Sequence, residues 1–316
     1  MHISSHCFYW FFQRLIFSPF CRLFMNTSHR TFFCRQIVNQ ILLIGLLFVS
    51  AHLHAQKIYV YCGPGVAADS LYQLRDMLRD LVPNYSLECV DSKTIFSKDW
   101  EKDASLLIVP GGADRPYAHI LNGEGNRRIR AFVEGGGSYL GICAGSYYAG
   151  ERIEFARGEP IEVIGDRELA FFPGLVRGPI LAPFVYGSHA GVRAAELEWA
   201  VGSSDLTQRV SILYNGGGYF VDAELAPNTQ VLLCYVDQSY NEDCCQSVKG
   251  EAAIIQCEVG KGIAILSAVH PEFNPYQLSA EDPFLSPLLS CLCASNHGRI
   301  ELLKQLLRRL RIEVEK

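Results

Sequence analysis

The chain has 316 residues, of which 49% are hydrophobic and 19% are charged, and its formal net charge at pH 7 is −5. These values are those of a globular protein that is long enough for one large core, or for one core with an inserted subdomain. Lysine and arginine are scattered except in the last turns of the chain, so the composition argues against a nucleic-acid partner.

The first 55 residues have the layout of a secretory signal. An apolar segment at residues 41–49 is preceded by arginines and followed by small residues, and it is too short for a comfortable membrane span. The pattern predicts export to the periplasm or the medium, with cleavage after Ala51 or Ala55. A start at Met25 would give a signal of ordinary length. The alternative is an uncleaved N-terminal membrane anchor.

Twelve cysteines are many for a cytosolic chain. Three precede or lie within the predicted signal, which leaves nine, an odd number that fits one functional thiol and up to eight others that can pair. The candidates for pairing are Cys244, Cys245, Cys291 and Cys293, but packing is the favoured interpretation for the last two, which lie in a predicted terminal helix. No spacing of cysteine and histidine resembles a zinc site, and we predict neither a metal nor a cofactor.

After the signal, apolar segments of strand length alternate with segments of helical period. Strands are predicted at residues 57–62, 85–90, 105–110 and 138–142. A helix capped by Asp69 or Ser70 follows the first strand, and another is predicted over residues 120–134, beginning near Asn122. The alternation predicts an α/β fold with a three-layer, doubly wound and mostly parallel sheet.

The pentapeptide Gly-Ile-Cys-Ala-Gly, from Gly141 to Gly145, follows the fourth predicted strand. A strand-to-helix turn with a nucleophile between two glycines needs those glycines, because the backbone is strained and the neighbouring elements pack too closely for a Cβ. Such a turn places Cys143 at a helix N-terminus, where the dipole and free N–H groups favour a thiolate. On the pentapeptide alone, a catalytic nucleophile and a buried structural cysteine stay equally good interpretations.

The second half of the chain changes character. Residues 151–210 contain short apolar segments interrupted by glycine and proline. This pattern predicts a β-rich segment that departs from the alternation of strands and helices and lines a cleft; it is called the β-rich excursion below. Further strands are predicted at residues 196–201, 209–214, 230–235, 251–258 and 263–270. The chain from Pro283 onward is predicted to be helical. We therefore predict a signal region over residues 1–55 and a single domain over residues 56–316 that ends in a helix.

Three segments that could form a site lie at the ends of predicted core strands. They are Pro110-Gly111-Gly112, the turn with Cys143, and His270-Pro-Glu272. In open α/β sheets, sites assemble at the carboxyl ends of the strands. In this arrangement Cys143 would attack a carbonyl, His270 would transfer its proton, and Glu272 would orient the imidazole. The candidate oxyanion-hole donors are the N–H groups of Gly111, Gly112 and Ala144. Weaker candidates for the substrate pocket are Tyr147, Asp114, Asn215 and His189. The alternative to a pocket role is a plain hairpin turn for Asn215 and a solvated loop position for His189.

These segments together resemble the class I glutamine amidotransferase-like superfamily and, within it, the N-terminal domain of biotin–protein ligases and its free-standing bacterial relatives. The resemblance extends over residues 57–290 and implies a flavodoxin-like fold with a Cys-His-Glu triad. The motifs that carry it are Gly63-Pro-Gly65, Val109-Pro-Gly-Gly-Ala-Asp114, Gly141-Ile-Cys-Ala-Gly-Ser-Tyr-Tyr-Ala149, Phe172-Pro-Gly174, Arg177-Gly-Pro179, Tyr214-Asn-Gly-Gly-Gly218 and His270-Pro-Glu272.

Two departures from these families limit what the resemblance implies. Tyr147 stands four residues after the candidate nucleophile, where glutaminases of the superfamily usually carry glutamine. The Gly-Arg-Gly-Arg run of biotin ligases is missing, so biotinylation by this chain alone is not expected.

The resulting prediction is an exported Cys-His-Glu protein that hydrolyses or transfers an amide or peptide-like acyl group through an acyl-enzyme on Cys143. Its partner would be a small-molecule or peptide-like substrate. One alternative is a non-catalytic binding or regulatory module that keeps the fold and the pocket. Another is a glutaminase subunit that needs a separate synthetase. The sequence leaves the oligomeric state open.

Overall fold

The computed structural model describes residues 57–97, 99–181, 184–200, 209–236 and 248–315. The predicted signal region and the candidate pair Cys244 and Cys245 lie outside these residues. Among the helices that are described, none has the length and apolar character needed to cross a membrane.

Apolar and β-branched segments form the strands of one sheet, which has 13 strands within the described residues. Their bounds are β1 Lys57–Tyr61, β2 Ser86–Val90, β3 Ala104–Val109, β4 Ser138–Ile142, β5 Gly150–Phe155, β6 Val163–Asp166, β7 Phe172–Gly178, β8 Arg193–Trp199, β9 Val210–Tyr214, β10 Tyr219–Phe220, β11 Thr229–Tyr235, β12 Ala252–Val259 and β13 Gly262–Ser267. The helices are α1 Ala68–Leu81, α2 Ser92–Ser97, α3 Asp114–Leu121, α4 Glu124–Glu134, α5 Ala144–Tyr148, α6 Leu289–Ala294 and α7 Asn296–Arg309.

The centre of the sheet is parallel. Strands β2, β1, β3, β4 and β13 lie side by side in that order, and each neighbouring pair is parallel. This is the strand order of flavodoxin-like folds. The carboxyl ends of β3, β4 and β13 therefore meet at one edge, where the segments that follow them converge.

Successive side chains of the parallel strands point to opposite faces of the sheet, so the apolar core is divided between the two faces. On one face, Tyr59, Leu107 and Tyr139 pack with side chains of α3, α4 and α5. On the other face, Ile58 and Leu140 pack with the apolar sides of α1 and α7. A sheet between two helical layers confirms the predicted three-layer α/β fold.

The described part of the predicted excursion, residues 151–181, 184–200 and 209–210, is β-rich and continues the sheet. Strand β12 is antiparallel to β13, and beyond it the sheet runs through β10, β7, β5 and β6. Strands β11, β8 and β9 branch from β12. A single bridge joins Leu213 in β9 to His270 after β13, so the branch reaches the end of the parallel strands.

Several predicted element bounds are wrong. The helix predicted over residues 120–134, beginning near Asn122, is α4, which begins at Glu124, whereas α3, which ends before the turn at Gly123 (φ +80°), was not predicted. Neither Asp69 nor Ser70 caps α1, whose N-cap is Ala67 without a side-chain hydrogen bond. The last core strand ends at Ser267, so His270 lies in the loop beyond it.

The C-terminal region and the cysteines also differ in detail from the predictions. The helical region begins with a 3₁₀ turn at Ser286–Leu288, after which α6 and α7 follow. Cys291 and Cys293, predicted as candidates for pairing, are free thiols, as are the other described cysteines.

Candidate active site

Cys143 occupies a strained turn between β4 and α5. Its φ of +47° is in the left-handed region, which costs a residue with a Cβ on the order of 1–3 kcal/mol. A Cβ on Gly141 would lie 2.5 Å from the carbonyl oxygen of Gly145, and one on Gly145 would lie 2.0 Å from that of Val109. Glycine is therefore required on both sides of the cysteine, as the pentapeptide predicted.

His270 and Glu272 form a buried pair beside this turn. The Nδ1 of His270 is 2.9 Å from Oε1 of Glu272, whose side chain is wholly buried. Because an ionised carboxylate only accepts hydrogen bonds, Nδ1 donates, which leaves Nε2 for proton transfer. His270 also packs edge-on against Phe273 and lines the same cavity as Cys143.

The electrostatics of the pair favour a charged imidazole. Burial alone lowers the pKa of His270, but the Glu272 carboxylate and the Cys143 sulfur outweigh it and hold that pKa well above its usual value. The imidazolium form is therefore favoured at neutral pH, next to a thiol that is only 6% exposed. The Cys143 thiol also donates to the carbonyl oxygen of Asn215, at 3.6 Å.

Ser70 connects the loop that follows β3 and contains Gly111 and Gly112 (the oxyanion loop) to the carboxylate of Glu272. Its hydroxyl accepts the N–H of Gly111 at 3.1 Å and donates to Oε1 of Glu272 at 2.8 Å. The sequence suggested only a helix cap for this residue. Because its partners are distant in the chain, no local pattern signals this role.

Replacing Ser70 with alanine is expected to lower both stability and thiol reactivity. The variant leaves the Gly111 N–H and the Glu272 carboxylate one partner short, which costs about 1–3 kcal/mol of unfolding free energy. We expect slower acylation of Cys143 by p-nitrophenyl acetate because Glu272 loses a group that fixes its orientation. Urea unfolding and intact-mass kinetics measure the two effects.

Ser138 offers a matched control for Ser70. It is also buried, and its hydroxyl donates to the carbonyl oxygen of Leu310 at 2.8 Å, at the opposite end of β4. Ser138→Ala should lower stability and leave acylation unchanged. Equal acylation rates in the two variants would assign Ser70 a purely structural role.

The predicted oxyanion-hole donors differ in availability. The Gly111 N–H is already bonded to Ser70, whereas the N–H groups of Gly112 and Ala144 donate to no other group in the described part of the chain. A Cβ on Gly111 would lie 2.6 Å from Cε1 of His270, so this glycine lets the loop approach the imidazole. The available donors are thus Gly112 and Ala144.

Arg299 of α7 lies behind the pair and was not singled out by the sequence. It is buried and donates to the carbonyl oxygen of Pro271 at 2.8 Å. Burial lowers the pKa of Arg299 to about 10, and the negative charge of Glu272 opposes that shift. Oε2 of Glu272 has no hydrogen-bond partner among the described residues. The guanidinium charge of Arg299 partly offsets the cost of burying this carboxylate.

Two cavities meet at Cys143. The larger has a volume of about 680 Å³ and is lined by His270 and by His189. The smaller has a volume of about 20 Å³ and is lined by Asp114 and by Tyr147. Asn215 lines both, so every pocket residue proposed from the sequence borders a cavity that contains Cys143.

The four pocket residues are held by specific contacts. Asp114 is buried against Arg167 at 2.7 Å, and burial raises the pKa of its carboxyl although the guanidinium opposes this. The hydroxyl of Tyr147 donates to the carbonyl oxygen of Gly216 at 3.3 Å. Nδ1 of His189 is 2.7 Å from Oδ2 of Asp282 at the rim of the larger cavity. Asn215 turns its Oδ1 into the protein without a hydrogen-bond partner in the described residues.

Among the described residues, no group of three or more His, Cys, Asp and Glu side chains is placed to hold a metal ion.

The chain matches known proteins over nearly all of its described length. Residues 56–316 match a family model described as biotin-protein ligase, N terminal. The chain is 34% identical over 262 residues to a biotin–protein ligase of Schizosaccharomyces pombe, across 82% of this chain and 38% of that protein. It is 32% identical over 262 residues to an uncharacterized protein of Chlamydia muridarum, across 82% of this chain and 96% of that protein. The chain thus spans well under half of the yeast ligase.

Solved structures show a more distant likeness. A β-galactosidase from Rahnella sp. R3 aligns with a TM-score of 0.45 at 13% identity, across 82% of this chain and 32% of that one. A ThuA-like protein from Bacteroides uniformis aligns with a TM-score of 0.44 at 12% identity, across 78% of this chain and 91% of that one. Neither likeness bears on function.

Proposed function

The chain belongs to the biotin–protein ligase N-terminal family, and we propose that it hydrolyses or transfers an amide or peptide-like acyl group through an acyl-enzyme on Cys143. The observation that carries this proposal is the strained turn that holds Cys143 in the same cavity as the buried pair of His270 and Glu272. Strain at a position that packing and glycines impose is typical of a functional site. The proposed setting is outside the cytoplasm, on the signal-like pattern of residues 41–49.

The proposed reaction has two steps. In the first, the Cys143 thiol gives its proton to Nε2 of His270 and Sγ bonds to the carbonyl carbon. The C–N bond then breaks, and His270 gives that proton to the departing nitrogen. The N–H groups of Gly112 and Ala144 support the negative oxygen of the tetrahedral intermediate. In the second step, water or another acceptor attacks the thioester, its proton passes to His270, and the C–S bond breaks.

Glutamine is disfavoured as the acyl donor. Tyr147 occupies the position where related glutaminases carry glutamine, and its ring packs edge-on against Phe155 at 5.6 Å. Its hydroxyl is bonded to the Gly216 carbonyl oxygen, so the side chain is fixed in place. The glutaminase alternative therefore lacks its usual contact.

A non-catalytic binding or regulatory module is the second candidate. Two observations favour it: Cys143 is 6% exposed, and the Gly111 N–H of the oxyanion loop is bonded to Ser70. The family match is to the N-terminal part of a ligase and is compatible with a module of this kind.

Competitive labelling with limiting iodoacetamide separates the two candidates. Cys89 is exposed and Cys143 is buried, so accessibility alone predicts that Cys89 reacts first. An activated nucleophile predicts the reverse order by peptide mapping, together with an acyl adduct from p-nitrophenyl acetate that Cys143→Ser abolishes and Cys89→Ser does not. Labelling of Cys89 without Cys143 would support the non-catalytic module.

A further inference from the structure

Arg299 is a buried cation that the proposed reaction does not use. It lies in the first turn of α7, and its backbone N–H bonds to the carbonyl oxygen of Ser295 at 3.0 Å. The residue is only 5% exposed. Its Nε donates to Oδ1 of Asn296 at 2.8 Å, which fixes the direction of the guanidinium. Because a buried charge is costly unless it is paired and hydrogen-bonded, the groups around this guanidinium indicate its role.

The guanidinium holds the short loop that contains the buried pair. One of its nitrogens donates to the carbonyl oxygen of Pro271 at 2.8 Å, and Pro271 is the residue between His270 and Glu272. Proline has no N–H, so its carbonyl is the backbone group through which this residue can be hydrogen-bonded. The N–H of His270 bonds to the carbonyl oxygen of Leu213 at 2.8 Å. The loop is therefore held by β9 at His270 and by α7 at Pro271.

The charge of Arg299 also acts on Glu272. Glu272 is wholly buried, and its Oε2 has no hydrogen-bond partner among the described residues. The other oxygen, Oε1, accepts from Ser70 and from Nδ1 of His270. Bonds to one oxygen do not replace the water that both have lost, so the charged carboxylate needs a nearby cation. Burial lowers the pKa of Arg299 to about 10, and attraction by Glu272 opposes that shift, so the two charges stabilise each other.

The charge of Glu272 decides whether His270 can hold a second proton. Beside a charged carboxylate, the imidazole keeps its Nδ1 proton and can take the proton of the Cys143 thiol on Nε2. If the Nδ1 proton passes to Glu272, the carboxyl and the imidazole both become neutral. The titratable and charged groups that face the pair are Cys143, on the turn after β4, and Arg299, on α7, whereas α1 contributes the uncharged hydroxyl of Ser70.

We propose that Arg299 is a positioning residue, which holds the loop between His270 and Glu272 and keeps the proton of the pair on the imidazole. The inference rests on the proposed function and deepens it, because an imidazolium is what favours the Cys143 thiolate. Arg299 borders neither of the two cavities that contain Cys143, so it acts through Glu272 and not on the substrate.

Three variants separate the charge of Arg299 from its hydrogen bond. Arg299→Gln keeps an N–H donor for the Pro271 carbonyl oxygen and removes the charge, whereas Arg299→Lys keeps the charge. Arg309→Gln is the matched control, because Arg309 is a half-buried arginine of the same helix that contacts the side chains of Gln230 and Gln256. If Arg299→Gln does not fold, Arg299→Met takes its place, since an apolar residue of similar reach is often tolerated where a buried charge is removed.

The titration of His270 is followed by NMR in protein that carries ¹³C-labelled histidine, with His270→Ala to assign the signals. In Arg299→Gln we expect the midpoint of the imidazole titration to fall by about one pH unit, the smallest shift typical of a nearby charge. Arg299→Lys and Arg309→Gln should keep the parental midpoint. Alkylation of Cys143 by iodoacetamide should slow in Arg299→Gln, and more at pH of about 6.5 than at pH of about 8.

The outcomes separate a positioning role from a structural one. An unchanged or higher midpoint in Arg299→Gln would overturn the inference, even if urea unfolding showed a loss of stability. An equal fall in Arg309→Gln or in Arg299→Lys would also overturn it, because the effect would not follow the charge beside Glu272. Slow alkylation of Cys143 relative to Cys89 in the parent would instead overturn the proposed function, and the imidazole titration would still decide the role of Arg299.

Discussion

Replacing His270 with alanine is expected to slow acylation of Cys143 by p-nitrophenyl acetate about 10²–10³-fold at neutral pH, as loss of a positioned acid–base group does. The variant keeps the strained turn and the N–H groups of Gly112 and Ala144. A change in rate then measures the loss of the imidazole together with its hydrogen bond to Glu272. Intact-mass kinetics at several ester concentrations give the rate constant.

The pH dependence gives a second measure of the same group. The Glu272 carboxylate and the Cys143 sulfur overcome the effect of burial and raise the pKa of His270, so the imidazolium persists above pH of about 6.5. In the parent, alkylation of Cys143 should stay fast as the pH falls from 8 toward about 6.5, whereas a thiol without an imidazolium slows steadily over that range. His270→Ala should show the second behaviour.

The raised pKa of His270 also predicts how the free energy of unfolding depends on pH. A histidine whose folded-state pKa lies above its unfolded value stabilises the fold fully below pH of about 6.5, and this contribution is lost as the pH rises through the folded-state value. The difference in unfolding free energy between the parent and His270→Ala should therefore shrink as the pH rises. A constant difference would mean that the two proteins differ only in packing.

His189 provides the matched control for His270. Its Nδ1 also contacts a carboxylate, Asp282 at 2.7 Å, but its side chain is 37% exposed at the rim of the larger cavity. His189→Ala should leave the acylation rate by a small ester almost unchanged. If both variants lose rate equally, the effect belongs to the cavity as a whole and not to a nucleophile–base pair.

The central strands of the parallel part could be predicted from the sequence because β1, β3, β4 and β13 are largely buried. Residues 138–142 are wholly buried, and the predicted strand has the same bounds as β4. Strand β13 lies next to it, which brings the loop that contains His270 to the Cys143 turn. The three proposed triad residues were found because they follow such strands, where local patterns are strong.

The remaining features of the site depend on tertiary contacts, which no local sequence pattern indicates. Ser70 and Glu272 are 202 residues apart in the chain and 2.8 Å apart in space. Arg299 sits in a helix whose leucine pattern indicates only an apolar face, and its contact with the Pro271 carbonyl arises from the packing of α7. Helix α3 was missed, whereas the helix predicted to begin near Asn122 corresponds to α4. Cavity sizes follow from packed rings and cannot be read from spacing.

Replacing Gly145 with alanine is expected to lower the free energy of unfolding by about 3 kcal/mol, at the upper end of overpacking costs. The new Cβ would lie 2.0 Å from the carbonyl oxygen of Val109, a backbone atom at the carboxyl end of β3. The first turn of α5 must then move away from β3, and with it the N–H of Ala144 and the thiol of Cys143. Urea unfolding should report the destabilisation, and labelling of Cys143 should slow.

Gly298→Ala is the control for Gly145→Ala, because it adds the same methyl group where there is room. Gly298 lies in α7, and its Cβ would meet the Val210 side chain at 3.4 Å, an ordinary contact. In a helix this change stabilises by up to about 1 kcal/mol. Gly298 borders neither of the two cavities that contain Cys143. The expected result is a lower free energy of unfolding in Gly145→Ala and a higher one in Gly298→Ala, with Cys143 reactivity lost only in Gly145→Ala. It would show that close packing of α5 on β3 holds the cysteine in its strained conformation. A Gly145→Ala protein with parental stability and labelling rate would show that the turn tolerates a Cβ and that its glycines have no part in positioning Cys143.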